Sequence, residues 1–121
     1  MSSQPPTILI VDDDEPTQKL LEVLMRRYGF ATDTVADGAA AIDRLRERSY
    51  ACVILDLMMP EVGGRDVLDF LAETNRPAKV VVCTAAVPTR EGDFDPTYVR
   101  AIVRKPFDIE QLAATVAALV E

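Results

Sequence analysis

Histidine is absent from the 121 residues. That removes the commonest general base and the commonest transition-metal ligand, and it excludes phosphohistidine chemistry on this chain. Cysteine is scarce: Cys52 and Cys83 are the two, in no CxxC or zinc-like spacing. Each sits in an apolar run and reads as a small buried hydrophobe in a reducing cytoplasm. An excess of positive charge is also missing. Thirteen Lys and Arg stand against twenty Asp and Glu, a formal net charge of -7, the wrong sign for a surface that neutralises nucleic-acid phosphates. The one dense basic group, Arg44, Arg46 and Arg48, reads as a solvated helix face. No apolar run approaches the length of a membrane span. Met1 to Pro6 lacks the basic-then-apolar order of a signal peptide. The expectation is a soluble cytoplasmic protein with no direct nucleic-acid binding and no membrane association.

What is present is a hydrophobic fraction of 49%, enough for one core in one domain. Residues 1–6 read as a disordered N-terminal tail and residues 7–121 as the domain. Thr7 to Val11, Val53-Ile54-Leu55 and Val80-Val81-Val82 are short runs that do not alternate, the pattern of strands buried on both faces. Thr32 to Val35 alternates as an edge strand would, and Val99 to Val103 supplies a fifth. Helical spacing lies between them. Thr17, Leu20, Leu21, Leu24 and Tyr28 mark one helix face, which Gly29 ends. A second helix after Asp37-Gly38 carries Ala41, Ile42 and Leu45, and a third follows Gly64 with Val67, Leu68 and Leu71. Asp108 with Gln111 resembles a capping box ahead of the stripe Ile109, Leu112, Val116, Leu119. Strands alternating with helices predict an α/β fold, a doubly wound five-stranded parallel sheet covered on both sides.

In such sheets, sites form beyond the carboxyl ends of the strands. Just past the first strand come Asp12, Asp13 and Asp14; past the third, Asp56; past the fourth, Thr84; past the fifth, Lys105. Carboxylates, a hydroxyl and an ammonium therefore converge on one crevice. Clustered carboxylates repel unless a cation joins them, and oxygen donors without imidazole or thiolate favour Mg²⁺ or a similar ion. A carboxylate is also a nucleophile toward phosphorus. Positioning and charge neutralisation then suffice for phosphoryl transfer, with Lys105 and the Thr84 hydroxyl taking phosphoryl oxygens. Asp14 and Asp37 read instead as helix caps.

The blocks ILIVDDD (Ile8 to Asp14), VILDLMMPEVGG (Val53 to Gly64), VVCTA (Val81 to Ala85) and RKPF (Arg104 to Phe107) resemble the bacterial response-regulator receiver domain. The likeness runs from about Thr7 to the C-terminus. It implies the flavodoxin-like receiver fold with strand order 2-1-3-4-5, an order for which a chemotaxis receiver is itself a standing example. It implies that Asp56 accepts the phosphoryl group in a Mg²⁺- or Mn²⁺-dependent reaction. Asp12, Asp13, Asp56 and the backbone carbonyl of Met58 would hold the metal, Thr84 would reorient toward the phosphoryl group, and Lys105 would pair with it. The Lys105–Pro106 bond is often cis in the family, and Pro60, Gly64 and Ala85 match its loop residues. The partners implied are a sensor histidine kinase or histidine phosphotransfer protein as donor, meeting the first helix, and a downstream effector that the sequence does not name. The chain would be a phosphoacceptor signalling domain rather than an enzyme.

Two departures from the family pattern stand out. Many receivers carry Tyr or Phe three residues before the lysine, where this chain has Ile102. Between Thr84 and Lys105 stand Pro88, Gly92 and Pro96, with Asp93, Phe94 and Asp95. These are poor residues for a continuous helix. The fourth helix is expected to be irregular, and switching to proceed by ordering or shifting Val87 to Tyr98, not by an aromatic rotamer flip. Three rivals fit less well. A haloacid-dehalogenase-type phosphatase would need DxDx[TV] after the first strand. A flavodoxin-like electron carrier would need a hydroxyl-rich phosphate loop there. A pseudo-receiver that only docks partners would not need the full acceptor, acid, hydroxyl and lysine set.

Overall fold

A computed structural model of the chain describes residues 5–57, 63–85 and 94–120, with Thr84 by its backbone alone. Five strands, β1 (Thr7–Val11), β2 (Ala31–Val35), β3 (Cys52–Leu55), β4 (Val80–Thr84) and β5 (Val99–Arg104), form one sheet in the order β2-β1-β3-β4-β5. Every pairing is parallel. Among the described residues there are four helices: α1 (Glu15–Arg27), α2 (Gly38–Glu47), α3 (Gly64–Thr74) and α4 (Ile109–Val120). The expected doubly wound topology is the one observed.

The non-alternating strands owe their composition to having two dry faces. Leu9, Val11, Val53, Leu55, Val80 and Val82 pack with Ala41 and Leu45 of α2 and Val67, Phe70 and Leu71 of α3. Their neighbours Ile8, Ile10, Cys52, Ile54, Val81 and Cys83 point the other way. They pack against Leu21, Leu24 and Met25 of α1 and Leu112, Ala113 and Val116 of α4. Each fully buried aliphatic side chain contributes about 1.5–3 kcal/mol, so a polar residue on either face of a central strand would be costly. The two edge strands are less covered: β2 buries Val35 alone, and β5 alternates between more and less covered residues along its length.

Asp14 caps α1 by accepting from Thr17 N and the Thr17 hydroxyl. Asp37 caps α2 by accepting from Ala40 N at 2.8 Å, and Asp108 accepts from Gln111 N at 3.1 Å ahead of α4. Asp14 and Asp37 are thus the helix caps that their sequence positions indicate. Gly29, with φ +89°, ends the α1 region in the left-handed conformation that glycine adopts without strain.

Two predicted stripes need correction. On α1 the buried residues are Leu21, Leu24 and Met25, while Leu20 and Tyr28 are 43% and 48% exposed. Leu20 stands about 100° around the helix from Leu21, off the line centred on the sheet. On α4 the first residue, Ile109, is exposed, and the stripe runs through Leu112, Ala113 and Val116 instead. The basic group is solvated as expected, with Arg44 and Arg46 on α2 and Arg48 just past its end, where Arg48 lies 3.5 Å from Asp33.

Between β4 and β5, Asp95 O accepts from both Tyr98 N and Val99 N, and the buried Tyr98 returns the chain to the sheet. No helix occurs there among the described residues. The expected irregular helix over Val87 to Tyr98 falls largely on residues 86–93, which lie outside the described residues.

Candidate functional site

Register decides what meets at the carboxyl edge. Val11 pairs with Leu55, Leu55 with Val82, and Thr84 with Arg104. The residues immediately beyond, Asp12, Asp56 and Lys105, therefore leave the sheet side by side. The crevice lies between β1 and β3, where the chain reverses its direction of travel across the sheet. Backbone bonds fix both exits: Asp12 N donates to Val35 O at 3.2 Å and Asp56 N to Val11 O at 3.0 Å.

Asp12 is 2% exposed and Asp56 4%. One carboxylate oxygen from each of Asp12, Asp13 and Asp56 lies within 4.8 Å of the others. Lys105 Nζ donates to Asp12 Oδ2 at 2.8 Å and to Asp56 Oδ2 at 3.3 Å. The other Asp12 oxygen accepts from Asp14 N at 2.9 Å. Burial alone would push the Lys105 ammonium pKa down. The Asp12 hydrogen bond and the charges of Asp12 and Asp56 outweigh it and hold the pKa above the ordinary lysine value. Lys105 is thus a fixed cation at neutral pH. The Lys105–Pro106 bond is cis.

The structure brings together Asp12, Asp13, Asp56 and Lys105, and it places the Thr84 backbone at the same edge. The Thr84 side chain and Met58 lie outside the described residues. Asp14 stays with its helix, its carboxyl held below the usual range by the Thr17 hydroxyl and amide. Burial pushes the Cys52 and Cys83 thiols up to about 12 and about 11, so both are neutral and inert, in line with their apolar sequence setting.

Gln18 carries no signal in the local sequence pattern, and Gly64, which matches the family's loop, has a physical reason that the pattern does not show. Gln18 ties the β1 and β2 exits together, with Nε2 donating to Asp12 O at 2.6 Å and Val35 O at 2.9 Å. Gly64 starts α3 directly against the exit of β3. A Cβ there would lie 2.5 Å from Asp56 O and 2.8 Å from Leu57 Cα.

The donor set fits a hard dication. Three carboxylates facing one ammonium leave excess negative charge among the described residues, and all-oxygen donors favour Mg²⁺ or Mn²⁺. A ligand that binds the native state raises its stability. Millimolar Mg²⁺ should therefore raise the melting temperature, and Asp13→Ala should remove most of that rise. The same variant should melt above wild type in chelator, because a repelling carboxylate is gone. Thermal scans of both proteins with and without Mg²⁺ check this, and identical scans for the two would contradict the metal assignment.

A doubly wound sheet with an acid cluster and a lysine at its switch point defines a class of phosphoryl-handling α/β domains. Comparison with known proteins narrows this. The family model for the response regulator receiver domain matches residues 8–117, and the chain belongs to that family. It is similar to the probable transcriptional regulatory protein TcrX of Mycobacterium tuberculosis, 34% identical over an alignment that covers 96% of this chain and 50% of that protein. It is also similar to the uncharacterized transcriptional regulatory protein YkoG of Bacillus subtilis, 32% identical over 113 residues covering 92% and 49%. The chain spans about half the length of these curated relatives. Among solved structures, the Francisella response regulator 1452 receiver domain superposes with a TM-score of 0.87 at 25% identity, covering 95% of this chain and 96% of that one. TrrA of Thermotoga maritima, solved in complex with Mg²⁺ and BeF, gives 0.83 at 29% identity, covering 94% and 98%. The chain is a two-component receiver, a signalling domain. No helix among the described residues is long and apolar enough to cross a membrane.

Proposed function

We propose that Asp56 is the phosphoacceptor and that the donor is a phosphohistidine on a sensor histidine kinase or a histidine phosphotransfer protein. The observation that carries this is the sharing of Lys105 between two buried carboxylates, Asp12 and Asp56, at the switch point. Asp12 holds the start of α1 and the lysine together, accepting from Asp14 N at 2.9 Å and from Lys105 at 2.8 Å. Asp13 is exposed to water.

In the reaction an Asp56 oxygen forms a bond to phosphorus as the bond to the donor nitrogen breaks, and the imidazole leaves with the electron pair. Lys105 holds a phosphoryl oxygen as a point charge, and the Thr84 hydroxyl holds another. Asp12, Asp13, Asp56 and the Met58 carbonyl would hold Mg²⁺ or Mn²⁺, which when bound neutralises the carboxylates and withdraws charge from the phosphoryl group. Output passes to a downstream effector through a change in the segment between β4 and β5, since Ile102 offers no ring to swing inward.

Incubation with acetyl phosphate and Mg²⁺ should add one phosphoryl mass, and Asp56→Asn should show none. Intact-mass spectrometry reads the result. Equal labelling of the two proteins would overturn the assignment.

A further inference from the structure

Asp13 is the exposed member of the acid cluster. No side-chain hydrogen bond holds its carboxylate among the described residues. Its direction must come from the backbone. The peptide unit that joins it to Asp12 is planar, so the Asp12 carbonyl oxygen and the Asp13 nitrogen and Cα move as one body. Whatever grips that oxygen also aims Asp13 relative to Asp12.

Gln18 grips it. The amide, half-buried on α1, has two N–H donors. They reach Asp12 O at 2.6 Å and Val35 O at 2.9 Å, from strand ends well separated in sequence. Val35 O also accepts from Asp12 N. The exits of β1 and β2 are therefore closed into a small network with Gln18 as the external brace. Leu21 and Met25 dock α1 on the sheet through apolar packing, and one Gln18 donor likewise meets the end of β2 at Val35 O. Its other, shorter bond goes to the Asp12 carbonyl, in the peptide unit that leads into Asp13.

We infer that Gln18 is a positioning residue for metal capture, fixing the Asp12–Asp13 peptide so that the two carboxylates face one cation. The inference rests on the metal site proposed above. Supports of this kind commonly alter metal affinity by about 10- to 100-fold.

The test measures Mn²⁺ affinity of the full chain by titration calorimetry. Gln18→Met keeps the length of the side chain and removes both donors, and its Kd should rise about tenfold. Gln18→Glu separates geometry from charge. An added anion near the site would tighten cation binding by simple attraction, whereas a carboxylate cannot donate to two carbonyls and would push them away. Positioning therefore requires weaker binding in Gln18→Glu as well. Val116→Ala, in the α4 packing remote from the cluster, supplies a generally destabilised control that should bind as wild type does. The inference fails if Gln18→Met binds like wild type, if Gln18→Glu binds more tightly, or if Val116→Ala weakens binding by the same factor. Failure of wild type itself to bind Mn²⁺ would overturn the underlying metal reading, and the first titration would reveal it.

Discussion

Lys105→Met should cost about 2–4 kcal/mol of stability in chelator and recover most of that when Mg²⁺ is added. Asp12 and Asp56 are all but sealed from water, and Lys105 contacts both, at 2.8 and 3.3 Å. Removing one partner from a buried ion pair leaves the other charge without compensation, which typically costs about 3–5 kcal/mol. Here the lysine side chain is 21% exposed, so some water screens the site and lowers the cost to about 2–4 kcal/mol. A dication joining the same carboxylates would replace the missing charge, hence the recovery. Urea unfolding at fixed pH, with chelator and with Mg²⁺, gives the two differences. A penalty of equal size in both conditions would show that lysine packing matters and its charge does not. The sign of the pH effect follows from the raised Lys105 pKa. The ion pair's contribution is fully present below the unfolded lysine value and drains away only as alkaline pH passes through the folded one. Neutral-pH activity should therefore be insensitive to Lys105 titration, while phosphoryl labelling of Lys105→Met should be slower by about 100-fold.

Gly64→Ala should be more damaging than its single added methyl suggests, at about 2–3 kcal/mol and roughly 4 °C of melting temperature for each kcal/mol. The methyl would stand 2.5 Å from Asp56 O and 2.8 Å from Leu57 Cα. Both are backbone atoms that cannot swing aside as a side-chain tip could. Relief requires α3 to back away from β3, yet α3 is held by Val67, Phe70 and Leu71 in the core. Gly29 is the natural control. It has φ +89° and nothing within 4 Å of a built Cβ, so Gly29→Ala meets only the backbone cost of about 1 kcal/mol. Thermal melts of the two variants side by side decide the matter. If Gly29→Ala is the worse of the pair, crowding at Gly64 is not what the position resists. Because the crowded atoms belong to Asp56 and Leu57, Gly64→Ala should also slow labelling of Asp56.

Much of this site is legible in the sequence because a parallel sheet converts sequence position into spatial position. With Ile8–Val11, Val53–Leu55 and Val80–Val82 as strands buried on both faces, Asp12, Asp56, Thr84 and Lys105 must emerge at one edge. The caps at Asp14 and Asp37 are equally legible, because a short acceptor ahead of a helix acts locally. Gln18 is not. A glutamine in the first turns of a helix looks like any solvated polar residue, and its two acceptors belong to strand ends fixed only by tertiary pairing. Gly64 matches the family pattern, but its physical reason is an approach between α3 and β3 that no local pattern encodes. The stripes on α1 and α4 depart from expectation at Leu20, Tyr28 and Ile109 for a related reason. Periodicity gives the direction of a face, while its width depends on how the helix sits over the sheet.

The parity of the central strands has a consequence for how the proposed phosphorylation of Asp56 is felt elsewhere. The sheet is a wall between two rooms, one furnished by α2 and α3 and the other by α1 and α4. Side chains along the wall speak to one room or the other. Asp56 stands at the wall's end, where it touches a doorway into each: the backbone against Gly64 opens on α3, and the carboxylate on Lys105 opens on the loop into α4. The proposed modification of Asp56 would therefore press on two opposite surfaces of the domain at once, each through its own door.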